Sequence, residues 1–355
     1  MKNLKIILIY FIISYCPVLS ENDTIFKPEG KFIIQVINRT NLDLLNTDNF
    51  GMNINRAHFG YSYQFAKGWK GVVVLDAGRA TLFNNLIIKD SLGNSLSSEY
   101  IYQEGSFYTM TLKFSYLEYK PNENITLQVG GILQNHYITE EKFWGYRYIL
   151  ESFPDRYFRI PSGDLGVIGY FVFNEHFSAD LAITNGEGFR RKQDDYGKFK
   201  VEAGLDFKPF DWLVTRIYYD NTFANETDII INEELYSVFI GYIVPSKFRT
   251  GFDYHYQSNY HHLAGLDLFG YSIYGAYNIT DNLETFLRFD NLQTNKYSDC
   301  SAIFKDKSSG KAYILGFHYK PIQGISLSLS EQIWEPKSID YKLQNEIVFS
   351  FEYRI

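Results

Sequence analysis

The sequence predicts an all-β fold, a transmembrane antiparallel up-and-down β-barrel of about sixteen strands, from three observations. Apolar and polar side chains alternate with a period of two along much of the 355-residue chain. Short turns alternate with long polar loops. Aromatic residues reach 18%, nearly all of them Tyr and Phe. The mean hydropathy of such a barrel stays ordinary, because only every second residue of a strand faces lipid.

Residues 1–20 have the layout of a cleaved export signal, which leaves residues 21–355 as the barrel domain. Lys2 and Lys5 precede a short apolar stretch, and small residues stand at the expected cleavage site. About ten apolar residues are too few to span a membrane core about 30 Å thick, which disfavours an anchor. Beyond this segment, no apolar run approaches the length of about 18 residues that a membrane helix needs. The mature chain would keep only Cys300, which cannot form an intrachain disulfide.

Each predicted strand has one apolar and one polar face. Two of the apolar faces are Ala57, Phe59, Tyr61, Tyr63 and Phe65, and Tyr108, Met110, Leu112, Phe114 and Tyr116. The strands run to about 9–13 residues, whereas strands of globular sheets have roughly 5–6. A strand tilted by about 45° needs about 9–11 residues to cross a bilayer. Strand length therefore favours a membrane barrel over a water-soluble sandwich or propeller.

The connections predict which end of each strand lies on which side of the membrane. Short turns rich in Pro, Gly, Asn and Asp are predicted around residues 66–68, 120–124, 174–175, 209–211, 245–246, 280–282 and 321–323. Longer polar stretches cover residues 40–49, 81–105, 134–164, 185–196, 222–233, 258–264, 294–310 and 335–343. Short turns on one side and long loops on the other are the layout of a bacterial outer-membrane barrel. We therefore expect the outer membrane of a Gram-negative bacterium, with lipid around the barrel.

The third long loop, residues 134–164, is the longest, and such a loop commonly folds inward to narrow a barrel of this size. Its charged residues are Glu140, Glu141, Lys142, Arg147, Glu151, Asp155, Arg156 and Arg159. Both signs lie close together, and charges around a constriction bias the passage of ions. The alternative is a solvated external loop with ordinary charges.

The polar faces of the strands are expected to form the wall of the pore. If the aromatic faces point to lipid, the Lys, Arg and His side chains that line the pore include Arg56, His58, Lys113, Lys198, Lys200, Arg216, Arg249 and Arg288. Arg216 shares a strand face with Asp220, and Arg288 shares one with Asp290. Charge balance within a wet barrel explains these pairs better than a binding site does.

The order of motifs resembles that of the phosphate-selective porin O/P family, in the versions found in Bacteroidetes, over nearly all of the mature chain. The motifs are Ile54-Asn55-Arg56-Ala57-His58-Phe59-Gly60, Leu75-Asp76-Ala77-Gly78, Ser115-Tyr116-Leu117-Glu118-Tyr119, Leu127-Gln128-Val129-Gly130-Gly131, Leu150-Glu151-Ser152-Phe153-Pro154 and Leu287-Arg288-Phe289-Asp290. The resemblance implies a homotrimeric diffusion channel for small hydrophilic solutes or inorganic ions, anions and phosphate included. The chain departs from the anion-selective members in being acidic, with 34 Lys and Arg against 41 Asp and Glu, so the residues leave ion preference open.

Functions other than a channel are less well supported by the residues. A net charge of −7 argues against a nucleic-acid binder. Some outer-membrane barrels are lipases or proteases that place His with Ser or Asp on adjacent strands, but the 7 His residues here are scattered. His261 and His262 are neighbours, and neighbours on an extended chain point opposite ways, so we expect no metal site and no cofactor. A structural or adhesive barrel that acts through its external loops remains the main alternative.

Overall fold

A computed structural model describes residues 27–89, 95–136, 138–158, 160–190, 193, 199–224, 231–295, 309–337 and 342–355. The predicted export signal over residues 1–20, together with Cys300, Arg159 and Lys198, lies outside the described residues. The strands are β1 (Glu29–Asp43), β2 (Phe50–Ala66), β3 (Trp69–Lys89), β4 (Ser95–Asn122), β5 (Ile125–Leu133), β6 (Gly163–Val172), β7 (Phe177–Thr184), β8 (Lys200–Phe210), β9 (Leu213–Thr222), β10 (Glu233–Val244), β11 (Phe248–Ser258), β12 (Leu268–Asn278), β13 (Leu283–Thr294), β14 (Gly310–Ile322), β15 (Ile325–Pro336) and β16 (Gln344–Arg354). The helices are α1 (Ile138–Trp144), α2 (Phe153–Tyr157) and a 3₁₀ helix at Tyr260–His262. Within the described residues, none of the helices is long and apolar enough to cross a membrane.

The sixteen strands form one closed antiparallel barrel, which confirms the predicted fold. Each strand pairs with the next along the chain, and β1 closes the ring by pairing with β16. This last pairing runs from Gln35 opposite Arg354 to Asp43 opposite Glu346. Closure removes every free strand edge, as a bilayer requires, because lipid offers no hydrogen-bond partner to an unpaired N–H or C=O group.

The outer surface of the barrel is apolar and much of the inner surface is polar. Along β10, Tyr236, Val238 and Ile240 point outward and are 45%, 41% and 45% exposed, whereas Ser237 between them is buried inside. An apolar exterior of this extent is stable in contact with lipid. It marks the surface of the barrel that lies in the membrane.

Short turns connect the strands at one end of the barrel, where β1 begins and β16 ends, as predicted. The turn between β2 and β3 depends on Gly68, whose φ is +76° and whose position would bring a Cβ atom against the carbonyl oxygen of Lys120. Phe210 and Trp212 flank another turn, and their rings stack 4.7 Å apart. Aromatic side chains at strand ends are typical of the interface between lipid and water.

A β-bulge in β4 changes the face that its side chains occupy. The pairing with β3 slips by one residue at Lys113. Leu112 is 50% exposed on the outside, whereas Tyr116 packs against the buried Ile132 inside the barrel. The single apolar face predicted for residues 108–116 is therefore wrong beyond the bulge, because one additional residue exchanges the two faces of a strand.

The loop predicted at residues 81–105 is mostly strand. β3 and β4 continue as a long hairpin, paired from Thr81 opposite Glu104 to Lys89 opposite Ser95. The prediction relied on the polar composition of this segment. A hairpin satisfies its own backbone N–H and C=O groups by pairing, so its formation does not require an apolar face.

Candidate functional site: the loop inside the barrel

The described part of the chain between β5 and β6, residues 134–136, 138–158 and 160–162, lies inside the barrel, and we call it the inner loop. Its aromatic side chains pack against the wall. Trp144 and Tyr146 are only 1% and 2% exposed. The Trp144 ring lies 5.0 Å from that of Tyr274 on β12, and the Tyr146 ring lies 4.9 Å from that of Phe286 on β13. Burying each large apolar side chain contributes roughly 1.5–3 kcal/mol, which stabilises the inner loop against this part of the wall.

Arg216 on β9 attaches the beginning of the inner loop to the wall. Its guanidinium donates hydrogen bonds to the carboxylate of Asp180 at 2.8 and 3.0 Å and to that of Asp206 at 2.7 Å. It also donates to the carbonyl oxygen of Asn135 at 2.9 Å. The Arg216 side chain is 1% exposed, so these groups form a buried ion network in which each member depends on the others.

The middle of the inner loop is attached to the opposite part of the wall. Arg288 on β13 donates a hydrogen bond to the carbonyl oxygen of Glu151 at 2.7 Å. The hydroxyl oxygen of Tyr148 lies 2.6 Å from Nδ1 of His318 on β14, and Arg39 on β1 donates to the carbonyl oxygen of Tyr148 at 3.3 Å. The inner loop therefore spans the barrel interior from β9 to β1.

The inner loop covers some of the side chains that were predicted to line the pore. The side chains of Lys200, Arg216 and Arg288 are 6%, 1% and 1% exposed. Asp220 pairs with Lys200 at 2.9 Å and not with Arg216, as the shared strand face suggested, whereas Arg288 does pair with Asp290, at 2.7 Å. Glu140, expected at the constriction, faces the wall and is 1% exposed. The three strand side chains point into the barrel, as their alternation predicts, but the alternation does not reveal which part of the wall a loop covers.

The other side of the inner loop carries charges that contact water. Arg147 lies 3.1 Å from Glu141 and also pairs with Asp155. Glu151 and Arg156 are 3.7 Å apart, and each side chain is 34% exposed. Because these groups lie inside a closed barrel, their exposure shows that water-accessible space remains beside the inner loop.

The pKa of the Glu151 carboxyl group lies well below its ordinary value. Partial desolvation inside the barrel would by itself raise its pKa, but the positive charges of Arg39, Arg156 and Arg147 outweigh this effect and lower the pKa to about 2. Glu151 therefore stays ionised at every physiological pH. Its charge is fixed among three guanidinium groups, so both signs of charge border the water-accessible space.

The wall opposite this charged side is formed by β2, β3 and β4. Arg56 on β2 is close enough to Arg147 on the inner loop for their two positive charges to repel each other. The Nζ atom of Lys113 lies 3.3 Å from Nε2 of His58, which is 3.3 Å from Oδ1 of Asp76. We call the water-accessible space between this wall and the inner loop the constriction, and the charged groups around it include Arg39, Arg56, Glu141, Arg147, Glu151, Asp155 and Arg156.

A cavity of about 740 Å³ lies on the turn side of the inner loop. Lys142 and Arg249, both predicted near the pore, contribute to its lining. Arg249 lies 3.5 Å from Glu284 and donates a hydrogen bond to the carbonyl oxygen of Trp144 at 3.3 Å. Lys142 and Arg249 therefore lie in a vestibule next to the constriction.

One arrangement resembles the side-chain set of a serine hydrolase. His255 lies 3.4 Å from Asp253, and Ser237 is its cross-strand partner on β10. All three are between 0% and 3% exposed, because the inner loop covers them. A substrate has no access to these side chains in this conformation.

Comparison of the chain with protein-family models and with curated proteins gives no match. Solved structures do match. The outer membrane channel DcaP of Acinetobacter baumannii is 12% identical, with a TM-score of 0.63 over 95% of this chain and 100% of that one. The trimer form of in-vitro folded OmpT from Vibrio cholerae is 12% identical, with a TM-score of 0.60 over 93% and 100%. The anion-selective porin from Comamonas acidovorans is 11% identical, with a TM-score of 0.60 over 93% and 100%. The fold is that of an outer-membrane barrel.

Two arginines at or beside the constriction escaped prediction from the sequence. Arg39 lies at the inner face of β1, and it could have been found by continuing the alternation from Ile37, which is 3% exposed and packs inside. Arg190 follows β7 in a segment that was expected to be an external loop. No local pattern distinguishes it from a solvated loop residue.

Proposed function

We propose that the protein is an outer-membrane porin, a channel through which small hydrophilic solutes and inorganic ions diffuse passively, without a cofactor. The observation that carries this proposal is the exposure of charged side chains inside the closed barrel, 34% for both Glu151 and Arg156. Charged groups keep a lumen hydrated and let ions pass. The likeness to solved channels and porins supports the same function.

A weak preference for anions is part of the proposal. At the constriction, four guanidinium groups (Arg39, Arg56, Arg147 and Arg156) stand against three carboxylates (Glu141, Glu151 and Asp155). Guanidinium groups stay charged at any relevant pH, so the balance does not depend on titration. Phosphate belongs to the solute class that this balance favours, although the net charge of the whole chain is −7.

Planar-bilayer recording of the refolded protein, residues 21–355, under a KCl gradient tests the function. We expect stepwise conductance and a reversal potential of the sign that chloride preference produces. Inserted, folded protein without conductance steps would refute the channel and favour a structural or adhesive barrel. Steps with a reversal potential of the opposite sign would leave the channel intact and refute the anion preference.

Assembly as a homotrimer is a further part of the proposal. The outer face of β3–β7 carries aliphatic side chains between 39% and 56% exposed, namely Val73, Leu117, Val129, Val167 and Leu181. The outer face of β10–β14 carries many aromatic rings, which suit a lipid interface. A flat aliphatic face suits contact with a second copy. Crosslinking in outer membranes should give trimers, and monomers alone would contradict this assembly.

The export signal over residues 1–20 completes the proposal, since an outer-membrane barrel must first leave the cytoplasm. We expect the protein isolated from outer membranes to begin at Glu21. Mass spectrometry of the intact protein measures this directly. A mass that retains residues 1–20 would show that the segment is not removed.

A further inference from the structure

The segment after β7 turns into the barrel beside the constriction. The carboxylate of Asp164 at the start of β6 accepts hydrogen bonds from the backbone N–H groups of Gly186 at 2.5 Å and Gly188 at 3.2 Å. The backbone N–H of Phe189 donates to the carbonyl oxygen of Gly163 at 2.9 Å. Three hydrogen bonds to two consecutive residues direct this segment toward β6.

Gly188 allows the backbone of this segment to turn toward β6. Its φ is +81°, a left-handed conformation that favours glycine, and a Cβ atom at this position would collide with the ring of Pro161. The segment therefore packs directly against the end of the inner loop. The side chains of Phe189 and Arg190 are thereby brought next to the constriction.

Arg190 reaches the wall opposite the inner loop. Its guanidinium donates a hydrogen bond to Oδ2 of Asp76 on β3 at 3.0 Å, three strands away from β6. The Asp76 side chain is 5% exposed, whereas that of Arg190 is 61% exposed. Arg190 therefore covers the carboxylate of Asp76 and keeps most of its own charged surface in water.

A second cation, Lys113, lies close to Arg190 and adds positive charge around Asp76. The Nζ atom of Lys113 lies 5.6 Å from the centre of the Phe189 ring, and the Arg190 guanidinium lies 5.3 Å from the same ring. Asp76 is thus enclosed by His58, Lys113 and Arg190. These neighbouring groups offset the negative charge of Asp76, so a solute beside it meets little net negative charge.

We infer that Arg190 is a selectivity-determining residue of the channel, supplied by a second loop, which neutralises Asp76 and presents a cation to permeating anions. This inference rests on the proposed channel function. Without Arg190, the carboxylate of Asp76 would lose one of its positive neighbours, and its charge would attract cations more strongly. A unit charge a few ångströms from a permeating ion attracts ions of the opposite sign and repels ions of the same sign, so each charge of the pair alters ion preference severalfold.

The reversal potential under a KCl gradient tests this inference in Arg190→Gln, Asp76→Asn and the double variant. We expect Arg190→Gln to lower the ratio of chloride to potassium permeability about threefold, and Asp76→Asn to raise it by a similar factor. The double variant should return close to the wild-type ratio, because both charges of the pair are absent. Arg190→Lys should retain most of the wild-type ratio.

Arg354→Gln is the matched control. Arg354 is 57% exposed and forms an ion pair of 2.9 Å with Glu352, so it resembles Arg190 in exposure and pairing but lies at the turn-side end of β16. We expect this variant to keep the wild-type ratio. If Arg190→Gln and Arg354→Gln give the same ratio, Arg190 has no role in selectivity and the inference is overturned. Absence of conductance in the wild-type protein would refute the channel itself, which is a separate result.

Discussion

Glu140→Gln should make the protein more stable at alkaline pH. Glu140 lies on α1 and is 1% exposed, and neither of its carboxylate oxygens has a hydrogen-bond partner among the described residues. Burial raises its pKa to about 8, with contributions from the negative charges of Asp253 and Asp206 and against the attraction of Arg216. The carboxyl group is therefore neutral at pH 7 in the folded protein.

The sign and the size of the effect follow from this pKa. A carboxyl group whose pKa rises from 4.5 in the unfolded chain to about 8 in the folded protein keeps its proton longer when folded. The free energy of unfolding should therefore fall as the pH rises from about 4.5 to about 8, and no further above that. One pKa unit corresponds to about 1.4 kcal/mol, so the full loss at pH 9 is on the order of 5 kcal/mol. Glutamine cannot ionise, and its variant avoids this loss.

Urea unfolding of the refolded protein at pH 6 and pH 9 measures the effect. We expect the wild type to lose more stability between these two values than Glu140→Gln loses. Glu141→Gln is the control, since it makes the same chemical change on the adjacent residue, whose side chain is 28% exposed. Equal pH dependence in the wild type and Glu140→Gln, or a variant that is less stable at pH 9, would refute the reasoning.

Three further predictions concern the inner loop. Arg216→Met should lower the free energy of unfolding by about 3–5 kcal/mol, because it leaves two buried carboxylates without their cation; a loss below about 1 kcal/mol in urea would contradict this. Replacing Arg147 and Arg156 together by Gln should shift the reversal potential toward cation preference, since positive charge leaves the constriction, and an unchanged potential would place these residues outside the ion path. Trp144→Ala should lower the free energy of unfolding by about 3–5 kcal/mol, as expected for a buried tryptophan. It should also increase the current noise of single channels, because the inner loop is held less tightly. Unchanged stability and noise would contradict the role of Trp144 in holding the inner loop against the wall.

Much of the barrel could be predicted because the pattern that specifies a strand is local. In β10, alternate residues face lipid and lumen, so the sequence itself shows the period of two. Turn residues such as Gly68 mark where the chain reverses. The bulge at Lys113 escaped prediction because a single extra residue leaves no mark in composition. The hairpin between β3 and β4 escaped it because its backbone pairing does not depend on apolar side chains.

The candidate site could be predicted from the local sequence pattern only in part. The sequence by itself determines that the chain alternates for a barrel, where its turns lie, and which side chains of a regular strand share a face, because neighbouring residues decide these properties. The tertiary structure decides that the inner loop covers Arg216 and Arg288 while leaving Arg147 in water. It also decides that Arg190 meets Asp76, 114 residues apart in the chain. Contacts of this kind depend on how a closed barrel arranges distant strands and loops around one interior, and no local pattern encodes that arrangement.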